Sequence, residues 1–468
     1  MPRLNRNRVA VDRDEVRVVH LGLGAFHRAH QAWYTSRAST RNLPGAAESD
    51  GWGIHGFTGR RPDAARELTA QDCLYTLITK SSKEVAAEVM APIVQATDGA
   101  DAVAWRAAIA APMVSVITLT ITEAGYLTTA TGLLDRDSSA VTADVALLRT
   151  RELPRTALAR LVDGLRARME AESGAVAVMS CDNLPENGAV TSRAVSALAT
   201  DLDPKLAEWI TSFVSFPSSM VDRITPATTP ADVVDAQRLT GFADTCPVVT
   251  EDFTEWIFEG KFPAGRPEWE RGGAQHVADV RPYEQRKLRL LNGAHSLLSY
   301  LGLAQGHATI SQAIGDPYCA GWVERYWRDA RPTIEGHAGD LDLFTEHLLT
   351  RFSNPRIEHS LRQISTSGET KIPLRILPVL RAEVGVGRVA EGAAMALAAW
   401  IHYLANSDEP SELLIGARDS ASSGAPRELV AAVLETIAPD LAAIDSVSAT
   451  VSSALQEIQQ RTEKRKHS

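Results

Sequence analysis

Cysteine is scarce in this chain of 468 residues, and its four cysteines, Cys73, Cys181, Cys246 and Cys319, form no CxxC pair. This spacing argues against a disulfide framework and a cysteine-based zinc site, and it is typical of a reducing compartment. There is no run of about 18 apolar residues that could cross a membrane, and residues 1–14 have no apolar core like that of a signal peptide. We therefore expect a cytoplasmic protein without a membrane partner.

Positive charge is also in short supply. Lys and Arg number 48 against 58 Asp and Glu, which gives a net charge of −10. Nucleic-acid binding requires clustered cations that neutralise phosphates, so this balance predicts no nucleic-acid partner. The composition, with 44% hydrophobic and 23% charged residues, is that of an ordinary globular protein. A chain of this length can bury a large core without disulfides or metals.

Short apolar runs alternate with helical patterns in the first half of the chain. The predicted strands span residues 16–21, 53–57, 74–79, 84–95, 114–120 and 175–180. The strands at 74–79 and 84–95 are predicted to pair with each other as a hairpin. The predicted helices between them span residues 64–70, 100–110 and 156–171. A continuous β-branched run such as 114–120 is typical of a strand buried on both faces. The alternation predicts a doubly wound, Rossmann-type parallel sheet in an α/β protein.

The pattern changes near residue 280, where β-branched runs give way to a period of about 3.6 residues. The predicted helices span residues 282–302, 317–330, 341–351, 373–383, 388–406, 426–437 and 446–461, and a loop is predicted at 407–426. We therefore predict two domains. Residues 1–280 form the Rossmann-type domain, and residues 281–468 form an all-helical C-terminal domain.

Two glycines follow the first predicted strand. Gly22 would permit a tight turn, and Gly24 would let the backbone approach a pyrophosphate at the start of the next helix. His27 occupies the place of the third glycine of the usual GxGxxG pattern. The pattern alone is equally compatible with a dinucleotide site and with a structural turn. His27 and His30, three residues apart, could bind a metal, but with no further ligand nearby a structural role is the more common outcome.

The end of the second predicted strand lacks the acidic residue that usually binds a ribose hydroxyl. Thr58, Arg60 and Arg61 stand there instead. The two arginines could contact the 2′-phosphate of NADP, or they could be ordinary solvated surface residues.

The predicted helix at 282–302 carries four polar residues on one side. At about 100° per residue, Glu284, Lys287, Asn292 and His295 fall within an arc of about 140°, beside a leucine-rich face. Desolvation at such an edge would lower the pKa of a lysine and make it a usable general base. An amide can donate to a developing alkoxide, and an imidazole can orient a hydroxyl. The alternative is a solvated polar face.

Five longer motifs identify a family. They are HLGLGAFHRAH (20–30), LTITEAGY (119–126), MSCDNLPENG (179–188), FPSSMVDRITP (216–226) and KLRLLNGAHSLLSYLG (287–302). From about residue 16 to 406 the chain resembles the polyol-specific long-chain dehydrogenases, which include mannitol 2-dehydrogenase, arabinitol dehydrogenase, fructuronate reductase and tagaturonate reductase. The resemblance implies a Rossmann-type domain, a helical domain, an active site between them, and no zinc.

The resemblance also implies roles for particular residues. Lys287 would be the general base in alcohol oxidation and the acid in ketone reduction. Asn292 and Asn183 would form an oxyanion hole, and His295 would position the substrate. Glu284 would relay a proton between Lys287 and water.

Further positions follow from these motifs, from the segment SGETKIP (367–373) and from the loop after the second predicted strand. Asp222 and Lys371 would contact the substrate. The cofactor residues would be Gly22, Gly24, Ala25, Phe26, Thr58, Arg60, Arg61, Thr120 and Glu123.

The chain departs from the mannitol dehydrogenases at the substrate loop. Gln363 stands where those enzymes have an arginine, as in fructuronate reductases, and residues 367–368 are Ser-Gly instead of Asp-Gly. Arg362 could replace the missing arginine or could be a plain surface residue.

These observations predict a metal-independent oxidoreductase that uses NAD, with NADP as the alternative cofactor, to interconvert a mannitol-like polyol and its ketose. The alternatives are a fructuronate reductase (D-mannonate oxidoreductase), a mannitol-1-phosphate 5-dehydrogenase, or a dinucleotide-binding sensor without catalysis. A phosphorylated substrate would need a basic cluster, for which Arg362, Lys371 and Arg375 are the candidates. We expect a monomer or a weak homo-oligomer.

Overall fold

The computed structural model describes residues 1–39, 51–129, 132–407 and 426–466. The chain forms two compact units, Met1–Arg281 and Pro282–Ser468. Most of the loop predicted at 407–426 lies outside the described residues. Across the part of the chain that is described, no helix combines the length and the apolar character that a membrane span requires.

A six-stranded parallel sheet forms the centre of the first unit. Its strands are β1 (Val16–Leu21), β2 (Gly53–Phe57), β5 (Ile93–Thr97), β6 (Val116–Leu119), β7 (Val176–Ser180) and β8 (Val214–Ser215). They lie in the order β5–β2–β1–β6–β7–β8. Every pairing is parallel, and the order reverses direction on either side of β1, as in a doubly wound sheet. The predicted Rossmann-type fold is therefore confirmed.

Helices cover this sheet and connect its strands. The α-helices of the first unit are α1 (Arg6–Val9), α2 (Ala25–Ala29), α3 (Gln31–Ala38), α4 (Asp63–Thr69), α5 (Ala102–Ala110), α6 (Ser139–Thr150), α7 (Ala157–Glu170), α8 (Asn187–Leu202), α9 (Pro204–Phe213) and α10 (Pro230–Thr240). Short 3-10 helices span Glu123–Tyr126 and Trp269–Gly272. Aliphatic side chains of β6 and β7 pack against α5, α7 and α8 in one continuous core. Because both faces are covered, these strands read as unbroken apolar runs.

Two small sheets complete the first unit. One contains β3 (Tyr75–Lys80), β4 (Val85–Met90) and β10 (Val248–Glu251), and the other contains β9 (Ser219–Asp222), β11 (Glu255–Phe258) and β12 (Gln275–His276). The segment predicted as one strand at 84–95 divides in two. Its first part pairs antiparallel with β3, and its second part is β5, which joins the large sheet. Pro92 lies at the division and has no N–H for a ladder bond.

The second unit is helix-rich. Its α-helices are α11 (Arg281–Arg286), α12 (Gly293–Ala304), α13 (Ile310–Gly315), α14 (Pro317–Ala330), α15 (Leu341–Phe352), α16 (Leu361–Ser365), α17 (Gly368–Arg375), α18 (Leu377–Gly385), α19 (Glu391–Asn406), α20 (Pro426–Ile437), α21 (Pro439–Ala442) and α22 (Asp445–Lys466). A 3-10 helix spans Arg331–Thr333. Helix α19 is buried nearly all round and packs against α12, α14 and α22. A helix that is apolar on every side needs such a central position.

Candidate active site

The glycine turn after β1 requires its first glycine. Gly22 has φ of +108°, and a Cβ there would collide with the carbonyl oxygen of Thr120. The N–H groups of Gly22 and Leu23 both donate to Phe57 O at 2.9 Å, which holds the turn against β2. Gly24 is different, because a Cβ there would meet nothing closer than Gly22 O at 3.5 Å. The protein itself leaves space at Gly24, which fits the close approach of a cofactor.

A cavity of about 550 Å³ opens beside this turn at the carboxyl ends of β1 and β6. Gly22 and Thr120 line it, together with three arginines, Arg60, Arg155 and Arg160. The guanidinium of Arg160 donates to Gly59 O at 3.1 Å and so braces the loop after β2. A cavity at this end of a parallel sheet, lined by cations, suits a dinucleotide with its phosphates. The sequence did not single out Arg155 or Arg160, because they lie far beyond β2 along the chain.

The other predicted cofactor residues differ in their burial and in their position on helices and loops. Ala25 and Phe26 open helix α2, whose N-cap is Gly24. Thr58 is buried, and its hydroxyl accepts from the N–H of Gly99 at 3.0 Å. Glu123 is exposed at the start of a 3-10 helix. Arg61 is exposed on the same loop as Arg60.

The histidines near the turn are packed into the core. The ring of His27 stacks on that of His20, with centroids 3.4 Å apart, and burial holds the pKa of His27 well below its ordinary value. His30 Nε2 instead contacts Glu255 O at 3.0 Å. Burial of both imidazoles in the core is consistent with the structural alternative for His27 and His30.

A buried carboxylate shapes the loop after β6. Asp182 accepts from the N–H groups of Ile121 and Thr122, at 3.0 and 2.8 Å, and from the Tyr126 hydroxyl at 2.7 Å. Thr122 has φ of +68°, which is rare and strained for a β-branched residue. Asp182 therefore stabilises a backbone conformation that this segment would not adopt alone. The role of Asp182 could not be read from the sequence, because its hydrogen-bond partners lie about sixty positions earlier in the chain.

The predicted oxyanion-hole residue Asn183 and the predicted substrate residue Asp222 both lie at the ends of strands in the first unit. Asn183 is exposed just beyond β7, and Asp222 is buried at the end of β9. Asn187 braces the intervening segment, because its amide group donates to Asp182 O and Ser219 O and accepts from Ser219 N.

The helix that carries Lys287 departs from the regular prediction. Residues Lys287–Asn292 form a π-helical turn between α11 and α12. A wheel at 100° per residue is therefore wrong here, because i→i+5 bonding rotates the chain by less than 100° per residue. Such π-turns are frequent at functional sites.

Three side chains of the second unit donate hydrogen bonds to backbone carbonyl oxygens of the π-turn. Tyr326 donates to Arg289 O at 2.8 Å, and Trp327 donates to Leu290 O at 2.8 Å. Arg375 approaches Asn292 O at 3.4 Å. Gly293 allows this arrangement, since a Cβ there would overlap the Tyr326 hydroxyl.

The four predicted catalytic side chains of this helix are all buried. Their exposed fractions are 7% for Glu284, 8% for Lys287, 6% for Asn292 and 7% for His295. This excludes the alternative of a solvated polar face. Asn292 Nδ2 and His295 Nε2 have no hydrogen-bond partner among the described residues. An unsatisfied buried polar atom costs about 1–3 kcal/mol, so two together indicate a place that a ligand or water completes.

Cations and a second imidazole surround His295. The rings of Phe352 and His359 lie 4.8 and 5.1 Å from it. Burial, then His359, then the positive charges of Arg351, Arg375 and Lys287 hold the pKa of His295 well below its usual value. The imidazole is therefore neutral near pH 7. Sequence analysis did not identify Arg351 or His359, because only the tertiary packing brings them to His295.

The remaining predicted substrate residues lie around α16 and α17. Arg362 and Gln363 are exposed on α16. The Lys371 ammonium donates to Ile364 O at 3.1 Å and to Thr366 O at 2.7 Å, so it braces the loop between these helices.

One cluster in the described residues has metal-ligand chemistry, formed by His307, Asp316 and Cys319. His307 Nε2 contacts Asp316 Oδ2 at 3.0 Å, and the other carboxylate oxygen caps α14 at Tyr318 N. Burial raises the pKa of the Cys319 thiol to about 12. These groups are engaged in structural contacts, and none of them belongs to the predicted catalytic set.

Comparisons with known proteins agree with this architecture. Residues 16–271 match the model of the mannitol dehydrogenase Rossmann domain, and residues 279–459 match that of the mannitol dehydrogenase C-terminal domain. The D-mannonate oxidoreductase of Escherichia coli is 38% identical over 84% of this chain and 81% of its own length. The mannitol 2-dehydrogenase of Cereibacter sphaeroides is 34% identical over 94% and 93%.

Solved structures give the same result. The mannitol 2-dehydrogenase of Pseudomonas fluorescens, solved as a ternary complex with NAD and D-mannitol, superposes with a TM-score of 0.85 at 31% identity. The match covers 98% of this chain and 97% of that one. Fold, sequence and both domain matches agree, and the chain belongs to the mannitol dehydrogenase family of oxidoreductases.

Proposed function

We propose that this protein moves a hydride between NAD and a secondary-alcohol carbon of an open-chain sugar alcohol, interconverting a mannitol-like polyol and its ketose. The observation that carries the proposal is the buried polar set on the π-interrupted helix, with unsatisfied atoms on Asn292 and His295. The relatives named for mannitol and mannonate oxidation support the reaction class.

In this proposal Lys287 is the general acid/base. Its amine accepts the substrate hydroxyl proton during oxidation and returns it during ketone reduction. Bound NAD supplies the hydride acceptor at its nicotinamide. Asn292, through its unpartnered Nδ2, donates to the oxygen as negative charge develops there. Asn183 is proposed as the second donor.

The other groups orient the substrate and relay the proton. His295 binds the reacting hydroxyl through Nε2, which has no partner among the described residues. Glu284, three residues before Lys287 on the same helix, exchanges a proton between the lysine and water. Asp222 and Lys371 hold the remaining hydroxyls. The cofactor lies along the turn at Gly22 and Gly24 and in the cavity with Arg60.

A second candidate is oxidation of D-mannonate, the reaction of a fructuronate reductase. By the family resemblance, Gln363 stands where mannitol dehydrogenases have an arginine, as it does in fructuronate reductases. The cations Arg351 and Arg375 near His295 also suit an acidic sugar.

A substrate panel tests this proposal. We expect the absorbance of NADH to rise when the protein is mixed with NAD and either D-mannitol or D-mannonate. In the reverse direction, the protein should consume NADH when it is given the matching ketone. A protein that binds NADH but turns over no member of the panel would instead be a dinucleotide-binding sensor.

Cofactor selection gives a first prediction. We expect activity with both NAD and NADP, with discrimination below about 100-fold, because no acid after β2 repels the 2′-phosphate. Arg60→Glu should reduce kcat/KM for NADP much more than for NAD. Arg8→Glu is the matched control, because Arg8 is exposed on α1 and does not line the cavity. Equal losses with both cofactors in Arg60→Glu would show that this arginine does not contact the phosphate.

Metal removal gives a second prediction. The proposed catalytic groups are an amine, amides, an imidazole and a carboxylate that act without a Lewis acid. Incubation with EDTA followed by dialysis should leave kcat unchanged. Loss of activity that added zinc restores would contradict the mechanism.

We also propose that the protein acts in the cytoplasm as a monomer or weak homo-oligomer. All four cysteines are buried free thiols, which suits a reducing compartment.

A further inference from the structure

Three side chains with metal-ligand chemistry lie together in the second unit, outside the proposed catalytic set. His307 follows helix α12, Asp316 is the N-cap residue of helix α14, and Cys319 lies in the first turn of that helix. Each offers one ligand atom, and the three atoms lie within 4.8 Å of one another. Imidazole nitrogen, carboxylate oxygen and thiolate sulfur are the ligand types that Zn²⁺ takes in proteins. The cluster therefore has the composition of a zinc site.

The spacing of these atoms is close to the spacing that Zn²⁺ imposes. With bonds of about 2.0 Å to nitrogen or oxygen and about 2.3 Å to sulfur, tetrahedral ligand atoms lie roughly 3.3–3.6 Å apart. His307 Nε2 and Asp316 Oδ2 are 3.0 Å apart, so they need to separate by a few tenths of an ångström. The Cys319 sulfur needs to approach by no more than about 1.5 Å, which small side-chain rotations supply.

Asp316 is able to bind a metal and keep its structural role. Its Oδ1 accepts from Tyr318 N at 2.9 Å, which caps helix α14, and its Oδ2 faces His307. A metal at Oδ2 replaces the contact with His307 and leaves the cap intact. The cap then fixes the orientation of the ligating carboxylate, as outer hydrogen bonds do in metal sites.

The cluster is partly open to solvent. The side chains of His307 and Asp316 are 25% and 24% exposed, and Cys319 is fully buried. Solvent therefore gives the metal an entry path and a water for the fourth position. Burial raises the pKa of the Cys319 thiol to about 12, so the free thiol is protonated near pH 7. On binding, the S–H bond breaks, the sulfur bonds to the metal and the proton passes to solvent.

Charge selects among the cations that fit this place. Arg461 of helix α22 lies over the ring of Tyr318, with Cζ 3.7 Å from the ring centroid, and it opposes a net positive charge nearby. Zn²⁺ with one carboxylate, one thiolate and a neutral imidazole carries no net charge. Ca²⁺ or Mg²⁺ prefers oxygen ligands and would leave the thiol protonated, which leaves the site positive. The cluster therefore favours Zn²⁺.

We propose that His307, Asp316 and Cys319 form a Zn²⁺ site that links the end of helix α12 to the start of helix α14 and stabilises the second unit. The unfolded chain does not hold the three ligands together, so the free energy of binding adds to that of folding. The site takes no part in hydride or proton transfer. Loss of the metal should therefore lower the unfolding temperature and leave kcat unchanged.

The test uses Co²⁺ and Zn²⁺ on the full-length chain after EDTA treatment and dialysis. Co²⁺ should bind stoichiometrically and give the near-ultraviolet absorption of a thiolate–cobalt bond, and Zn²⁺ should displace it. At a Zn²⁺ concentration about a hundredfold above Kd, the thermal midpoint should rise by roughly 5 °C or more.

Three variants make this result specific. Cys319→Ala should abolish the Co²⁺ absorption and the Zn²⁺-dependent shift of the midpoint. Asp316→Asn keeps a side chain that caps the helix, and it should weaken Zn²⁺ binding by at least about tenfold. Both should retain wild-type kcat. Cys73→Ala removes another buried free thiol outside the cluster and is the matched control, which should bind both metals like the wild type.

The outcomes decide for or against the site without any measurement of turnover. A wild-type protein without the Co²⁺ absorption, or without the Zn²⁺-dependent shift, would overturn it. An unchanged response in Cys319→Ala would also overturn it, because the metal would then be bound by other side chains. If Cys319→Ala does not fold, Asp316→Asn decides, and wild-type Zn²⁺ affinity in that variant would contradict the site. Failure of the sugar reaction would leave all of these readouts unaffected.

Discussion

Replacement of Lys287 with Ala should nearly abolish turnover while NADH still binds. Lys287 is the proton acceptor that we propose from the buried set, because an amide such as Asn292 does not titrate near neutral pH and burial holds the pKa of His295 well below its usual value. Loss of a general acid/base typically costs on the order of 10²–10⁴ in rate. Steady-state kcat in both directions measures the loss, and fluorescence titration with NADH measures binding.

Two further variants make this result specific. Lys287→Met keeps most of the side-chain volume and should be as inactive as the alanine variant, which separates loss of the amine from loss of packing. Lys205→Ala removes an exposed lysine at the start of α9 and should behave like the wild type. Near wild-type turnover in Lys287→Met would exclude proton transfer by this amine.

Replacement of Gly293 with Ala should disrupt the site without touching any catalytic side chain. A Cβ at this position overlaps the Tyr326 hydroxyl, which donates to Arg289 O inside the π-turn. Overpacking costs about 1–3 kcal/mol in the free energy of unfolding. Misplacement of Lys287 and Asn292 by about 1 Å can cost about 10²-fold in rate. Denaturant unfolding and kcat/KM, measured on the same preparation, give both effects.

Gly321→Ala is the matched control for this variant. Gly321 lies within α14, and a Cβ there would meet no atom within 4 Å. Alanine should therefore leave activity unchanged and stabilise the helix by up to about 1 kcal/mol. A Gly293→Ala enzyme with wild-type activity would mean that the π-turn does not position the catalytic groups.

The fold was predictable because its signals are local. The observed bounds match the predicted ones for strands β1 and β2 and for helices α14 and α20. The hydrophobic period and the positions of proline and glycine predict these bounds. Division of residues 84–95 between two sheets was not predictable, because strand pairing depends on partners distant in sequence. The five strands β8–β12 are short, and the alternation that revealed the longer strands is weak over two to four residues.

The catalytic helix shows what local reasoning misses. A helical wheel grouped Glu284, Lys287, Asn292 and His295 on one face, and the structure buries all four. The wheel assumed a regular α-helix, whereas side chains from α14 and α17 stabilise a π-turn. Those donors lie more than thirty positions away in sequence, so no local pattern could reveal them. For the same reason, sequence reasoning found neither Arg351 nor His359.

The most direct test of the central proposal is chemical rescue of Lys287→Ala by small primary amines. If Lys287 transfers the proton, methylamine or ethylamine should enter the space of the missing side chain and raise kcat/KM in a saturable manner. The same amines should not accelerate the wild-type enzyme. A folded Lys287→Ala protein that binds NADH, yet gains no activity from any small amine, would contradict the assignment of Lys287 as the general acid/base.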